Sequence, residues 1–202
     1  MPPSLLIATN NPGKLLEMRS LLEDLPVQLL MPRDLNIHLD VEENGSTYAE
    51  NAALKAAAFG KAAGILTLAD DSGLEVDALG GHPGIYSARY LGTHNATDSD
   101  RRAYLLKNVS DAPRPWTAHF HCVIAIWGPG IALQYAEGVC PGEIIPQERG
   151  NSGFGYDPIF LLPELGKTMA ELRMDEKNRL SHRARAVKAA LPLITRTLTL
   201  FG

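Results

Sequence analysis

The sequence predicts an α/β domain, and three observations carry that prediction. Apolar runs of strand length alternate with segments whose apolar residues recur at helical spacing. Two adjacent carboxylates, Asp70 and Asp71, follow directly on the run Ile65-Leu66-Thr67-Leu68-Ala69. A buried strand that ends in acids delivers charge to the carboxyl-end rim of an open sheet, which is where such folds bind ligands. The length of 202 residues, with 45% hydrophobic and 21% charged side chains, suits one globular domain over 1–202 rather than a disordered chain. Side-by-side carboxylates repel unless a cation or a shared proton lies between them. Asp70-Asp71 therefore reads as a metal-holding or proton-handling pair, the plainer alternative being acids that solvate a strand end or cap a turn.

In chain order, Ser4 to Thr9 is expected as a buried strand, and Pro12 suits the first position of a helix carrying Leu15, Met18, Leu21 and Leu22. Between them, Thr9-Asn10-Asn11-Pro12-Gly13-Lys14 brings free backbone N–H groups and a lysine to one spot, an arrangement suited to phosphate. The glycine spacing of a Walker loop is absent, and a plain turn explains the same residues. Val27 to Met31 is a second short strand, followed by a polar stretch with Glu42, Glu43 and Gly45. Thr47 and Glu50 have capping-box spacing and open an alanine-rich helix to about Gly64. Within it, Lys55 reads by default as solvated, with a role in the site as the alternative.

After the acidic pair, Leu79 to Tyr90 reads as a glycine-rich loop, functional or at an interface. Thr97 to Val109 is expected as a capped helix, and Thr117 to Trp127 with Ile131 to Val139 as a long antiparallel hairpin. His119 and His121 share one face of the first strand at metal-ligand spacing; ordinary strand residues are the default reading. In Arg149 to Pro158, glycines surround Phe154 and Tyr156 beside Asp157. Such a ring makes a platform for a planar base, unless Phe154 simply fills the core. Ser181 is placed to cap a final amphipathic helix through Ala190, kinked or ended near Pro192. His182 and Arg183 then occupy a first turn, where cations oppose the helix dipole and an anionic ligand would offset the cost.

A net charge of −4 without any basic run gives no footprint for a nucleic-acid polymer. Leu5-Leu6-Ile7-Ala8 is too short for a signal-peptide core, and nothing approaches the ~20 apolar residues of a membrane span. Cys122 and Cys140 fit no metal-ligand spacing. The expectation is a soluble protein of a reducing, cytoplasmic setting, without a membrane partner.

Six segments in order, Thr-Asn-Asn-Pro-Gly-Lys, Glu-Asn-Gly-Ser-Thr-Tyr-Ala-Glu-Asn-Ala, Ala-Asp-Asp-Ser-Gly-Leu, Gly-Gly-His-Pro-Gly-Ile-Tyr-Ser-Ala-Arg-Tyr, Gly-Phe-Gly-Tyr-Asp-Pro and Ser-His-Arg, span Thr9 to Arg183. Together they resemble the inosine triphosphate pyrophosphatase (dITP/XTP diphosphatase) family. Asn-Asn stands where many relatives have Gly-Asn. The resemblance implies a long twisted mixed β-sheet flanked by helices, forming two lobes around a central cleft. It implies a Mg2+-dependent homodimer that hydrolyses deaminated purine nucleoside triphosphates (ITP, dITP, XTP) to monophosphate and pyrophosphate. By motif, Asp71 is the general base or a metal ligand, Glu43 a second metal ligand, and Ser72 a substrate contact. Thr9, Asn10, Asn11, Pro12, Gly13 and Lys14, with Lys177, hold the triphosphate. Phe154, Gly155, Tyr156 and Asp157, with His182 and Arg183, form the base pocket. Asp70 and Lys55 are further possible members. Two alternatives remain open at this point: a Maf-type dTTP/UTP pyrophosphatase, and a nucleotide sensor without turnover.

Overall fold

The computed structural model describes residues 2–93 and 95–201. Its strands are β1 (Ser4–Ile7), β2 (Gln28–Leu30), β3 (Leu66–Val76), β4 (Trp116–Trp127), β5 (Gln134–Ile144), β6 (Phe160–Leu162) and β7 (Lys167–Thr168). Its α-helices are α1 (Pro12–Leu21), α2 (Tyr48–Ala63), α3 (Asp98–Val109), α4 (Met174–Leu180) and α5 (His182–Phe201). The strands form one seven-stranded sheet in the order β2-β1-β3-β4-β5-β6-β7. The sheet is mixed: β1 pairs parallel with β2 and with β3, whereas β5–β6 and β6–β7 are antiparallel.

The chain divides into two compact units. One comprises Met1–Asp71, Cys122–Gly138 and His182–Gly202; the other comprises Ser72–His121 and Val139–Ser181. In the first, Leu5, Ile7, Leu68, Ile124 and Ile126 pack with Met18 of α1 and with Ala186, Val187 and Ile194 of α5. A second cluster there joins Leu6, Ala8 and Ala69 to Ala52, Ala56 and Phe59 of α2, whose alanines permit a close approach to the strands. The second unit has its own core of Leu74, Val76, Leu105, Phe120, Phe160 and Met169, among others.

Local chemistry sets the helix ends. The Asn11 side chain accepts from the Lys14 N–H with Pro12 at the first helical position, and Thr47 accepts from the Glu50 N–H. The Glu50 carboxylate closes instead on the Ser46 N–H and hydroxyl, so the expected capping box is displaced by one residue. Gly64 ends α2 in the left-handed region.

Three expected boundaries are corrected. β3 does not end at Ala69 but continues to Val76, because Leu74 and Val76 supply further buried apolar side chains beyond the acids. β5 starts later than Ile131 and runs past Val139 through Pro141, since Ala136, Gly138 and Cys140 alternate inward while Pro141 faces outward. α5 passes through Pro192, which lies on the exposed side while Ala190, Ile194 and Thr197 stay buried. Water can then satisfy the carbonyl that proline leaves without its helical donor. No helix among the described residues is long and apolar enough to cross a membrane.

Candidate active site

Because β3 carries on through Asp70 and Asp71, the two acids are strand residues rather than rim residues, and both are buried, at 2% and 5% exposure. Successive side chains of a strand point to opposite faces. The pair is thereby split, and each carboxylate meets its own partners.

Asp70 faces two cations. Lys14 Nζ lies 3.1 Å from its Oδ2, and Arg183 donates to the same oxygen through Nε at 3.3 Å and Nη2 at 3.2 Å. Arg183, 1% exposed, also donates through Nη1 to buried Glu17 on α1. Two carboxylates and two cations thus form a neutral buried chain, Glu17–Arg183–Asp70–Lys14, as burial of charge requires. Burial works to raise the Asp70 pKa, but Lys14 and Arg183 outweigh it and hold the carboxyl well below its ordinary range. The Arg183 charge in the first turn of α5 is met inside the protein by Glu17 and Asp70. Its close seating is possible because a Cβ on Gly138 of β5 would stand 2.3 Å from the His182 carbonyl oxygen. Cys122 Sγ, 3.9 Å from Asp70, is pushed well above its ordinary thiol range by burial and by that carboxylate, which keeps it unreactive.

Asp71 faces α2. Lys55 Nζ lies 3.7 Å from its Oδ1 and 3.0 Å from Glu43 Oε1. Asn51 donates to Asp71 Oδ2 at 3.2 Å and accepts the Gly45 N–H at 2.8 Å, tying the loop that carries Glu43 to the same helix. Lys55 is thus not the solvated lysine expected of an alanine-rich helix. Its side chain is 12% exposed and stands between two carboxylates. Burial acts to lower its pKa, yet Asp71, Asp70 and Glu43 together raise it. Asp71 is itself raised above the ordinary carboxylate value, chiefly by burial, with Glu43 adding to that and Lys55 and Lys14 opposing it. Glu42, in contrast to Glu43, is exposed.

The Thr9–Pro12 turn is exposed or half-buried and precedes Lys14. The Asn11 N–H donates to Thr9 Oγ1 at 3.2 Å, and Asn10 reaches the Leu39 carbonyl at 3.4 Å. Ser72 follows Asp71 in β3 and is half-buried. All the members of the unit containing β1 that the motifs single out, Thr9 to Lys14, Glu43, Lys55, Asp70, Asp71, His182 and Arg183, belong to one compact body.

A second cluster occupies the other unit. Lys177, 4% exposed, donates to Asp157 Oδ2 at 2.6 Å, and its ammonium stands 5.3 Å from the Phe154 ring centroid. The Phe154 N–H donates to the same Asp157 oxygen at 3.0 Å. Lys177 is therefore grouped with the base-pocket candidates of its own unit. His119 and His121 face Glu75, at 2.8 and 3.5 Å.

Glu17, Asn51 and Arg102 are not singled out by sequence reasoning, which reads Asp98 only as an alternative to Thr97 as the cap of α3, a place that Thr97 takes. Asn51 lies inside a quoted motif and was legible there; Glu17 gave only the weak signal of an acid beside Met18 on the apolar side of α1.

The donor chemistry of Glu43 and Asp71 suits Mg2+. Glu43 and Asp71 converge on one cation, the Lys55 ammonium, and offer only carboxylate oxygens, as a hard divalent ion prefers. Among the described residues no group of three or more His, Cys, Asp or Glu side chains is arranged to hold a metal by itself. Mg2+ commonly binds through one or two carboxylates completed by substrate phosphates and water, and Glu43 with Asp71 fits that pattern.

Comparison with known proteins shows the family of the whole chain. The Ham1 family profile matches residues 5–193. The dITP/XTP pyrophosphatase of Desulforamulus reducens is 46% identical over 193 residues, 95% of this chain and 96% of that protein. That of Gloeobacter violaceus is 50% identical over 189 residues, 93% of this chain and 92% of that one. Among solved structures, a HAM1 protein from Coxiella burnetii aligns with TM-score 0.86 at 40% identity, covering 96% of this chain and 99% of that one. The Staphylococcus aureus Ham1 protein aligns with TM-score 0.84 at 40% identity over the same shares.

Proposed function

The chain belongs to the Ham1 family, and from that premise we propose that it hydrolyses deaminated purine nucleoside triphosphates (ITP, dITP, XTP) to the monophosphate and pyrophosphate. The observation that carries the reading is the division of labour across β3: Asp70 is neutralised by Lys14 and Arg183, while Asp71 and Glu43 share one cation.

Glu43 and Asp71 would hold Mg2+, which when bound neutralises phosphate charge and lowers the pKa of coordinated water. Lys14, at the start of α1 with the Thr9–Gly13 turn, binds the phosphates through its ammonium and the free N–H groups of the helix end. Asp71, placed by Lys55 and Asn51, accepts the proton of the attacking water. The new bond joins the water oxygen to phosphorus, and the α–β anhydride bond breaks to release pyrophosphate. Ser72 contacts substrate beside Asp71. Phe154 offers its ring to the base, with Asp157 and Lys177 of its own unit beside it and Gly155 and Tyr156 next in the chain; His182 is proposed as a further base contact. Arg183 serves the pocket through Asp70, to which its guanidinium is committed. A 6-keto purine is preferred to a 6-amino one because buried donors are left unpaired against an amino group, at about 1–3 kcal/mol each.

The enzyme is proposed to act as a homodimer, supported by Tyr86, 49% exposed and under the Arg89 guanidinium, both on a short 3-10 helix, Gly84–Arg89, within the segment expected as a loop. A cytoplasmic setting suits Cys122 and Cys140, which are buried free thiols.

The test is a panel of purine and pyrimidine nucleoside triphosphates assayed for pyrophosphate release with and without Mg2+. ITP, dITP and XTP should exceed ATP by orders of magnitude. Preference for dTTP or UTP would support the Maf-type alternative, and binding without pyrophosphate release would support a sensor.

A further inference from the structure

Residues 151–156 contain neither helix nor strand; Phe154 and Asp157 hydrogen-bond to each other, and Gly155 between them is held from outside the turn. Gly155 sits at φ +61°, a region that favours glycine. Its N–H donates to Asp98 Oδ2 at 2.7 Å, and its carbonyl accepts from Arg102 Nη1 at 2.8 Å. Asp98 and Arg102 are four residues apart on α3 and therefore share one face of that helix. Arg102 is fixed in turn: Nε and Nη2 donate to the two carboxylate oxygens of Glu148 at 2.8 and 2.9 Å, a forked pairing that restricts guanidinium orientation. Asp98 also pairs with Arg101. Both ends of the Gly155 residue are thus gripped from one rigid helix, with Phe154 on one side and Tyr156 on the other. The Tyr156 hydroxyl is anchored separately, donating to the Ser87 carbonyl at 2.9 Å.

We infer that Asp98 and Arg102 are specificity-determining positioning residues, which set base selectivity by fixing the place of the Phe154–Asp157 turn without touching the substrate. This rests on the proposed role of that turn as the base-reading element. A displacement of about 1 Å in a positioned group costs up to about a hundredfold in rate; Asp157 is held by Lys177 and Tyr156 by Ser87, and Asp98 and Arg102 add the grip on Gly155, the residue next to Phe154.

The experiment compares kcat/KM for ITP and ATP in wild type, Asp98→Ala, Asp98→Asn, Arg102→Ala and Phe154→Ala. The ratio of the two values is the readout, because the fraction of folded enzyme cancels in it and a merely structural loss leaves it unmoved. Asp98→Ala and Arg102→Ala should narrow the ITP/ATP ratio by about tenfold or more. Asp98→Asn, whose amide oxygen can still accept the Gly155 N–H, should stay within about threefold of wild type, and half-saturation by Mg2+ should not change. If Phe154→Ala narrows the ratio while both alanine variants hold it within about twofold, the positioning role is overturned and the reading of the turn survives. If Phe154→Ala leaves the ratio unchanged as well, the reading of the turn falls and the positioning role falls with it. Should the alanine variants not fold, Arg102→Lys, which keeps one donor but loses the fork to Glu148, is judged by the same ratio.

Discussion

Replacing Asp70 by Asn removes one charge and almost no volume, and the structure allows its cost to be worked out. Asp70 Oδ2 accepts from two Arg183 nitrogens and faces Lys14 Nζ. The amide keeps one acceptor oxygen but turns an NH2 donor toward cations. Arg183 stays fully buried with Glu17 as its remaining carboxylate. Breaking a buried pair by removing one partner costs about 3–5 kcal/mol. In a chain of 202 residues, each kcal/mol moves Tm by about 2–4 °C, so a fall of roughly 6–20 °C at pH 7 is expected. The pH dependence has a definite sign. Asp70 is depressed in the fold, so its contribution is present above the unfolded carboxyl value of about 4 and is lost as pH falls toward the folded one. Calorimetric melting of both proteins should give a constant Tm gap from pH 8 to about 5, narrowing below about pH 4. A gap under about 3 °C at pH 7 would refute the reasoning, since Asp70 would then be worth no more than an exposed ion pair at under about 1 kcal/mol.

Asp71→Asn should leave less than about a tenth of wild-type kcat at saturating Mg2+. It should not lower Tm at pH 7: a carboxyl whose pKa is raised in the fold opposes folding once ionised, and the amide removes that cost. Lys55→Met withdraws the cation beside Asp71, so the acid limb of the kcat/KM profile should move to higher pH; a limb that stays in place would remove Lys55 from the neighbourhood of the working base. Lys14→Ala and Lys177→Ala should both raise KM for ITP, but differential scanning calorimetry should separate them. Lys177→Ala strips the ammonium from buried Asp157 and should lose the more stability. Light scattering at micromolar concentration should give about twice the 21.9 kDa chain mass, and a value near the single-chain mass would exclude the dimer.

What the sequence made legible follows from the range of the interactions involved. The turn before α1 was legible because Asn11 and Pro12 act within three residues of each other. The seat of Lys55 was not, since a lysine among alanines is solvated unless something distant meets it, and Glu43 and Asp71 come from outside α2. The length of β3 was misjudged for a related reason. A run of buried apolar residues is read as ending at its first charge, and only cations on α1, α2 and α5 make it possible to bury two acids in mid-strand. Arg183 pairs with Glu17 across 166 positions, a separation at which no local pattern carries a signal. Pro192, read as a kink or an end, does not end α5, because its ring sits on the exposed side of that helix.

The same alternation explains why two adjacent aspartates can serve where one would not. Asp70 receives two full positive charges, and its pKa falls. Asp71 receives one cation that Glu43 shares, with a neutral amide from Asn51 as its other partner, and its pKa rises. Environments that drive two carboxylates apart in pKa assign them different roles. The depressed one remains a fixed charge at any working pH and can hold Lys14 in place. Exchanging the partners would exchange the roles. Placing both acids on one face would instead set like charges against each other and leave only one of them ionised. One strand register therefore places two adjacent carboxylates in opposite electrostatic surroundings.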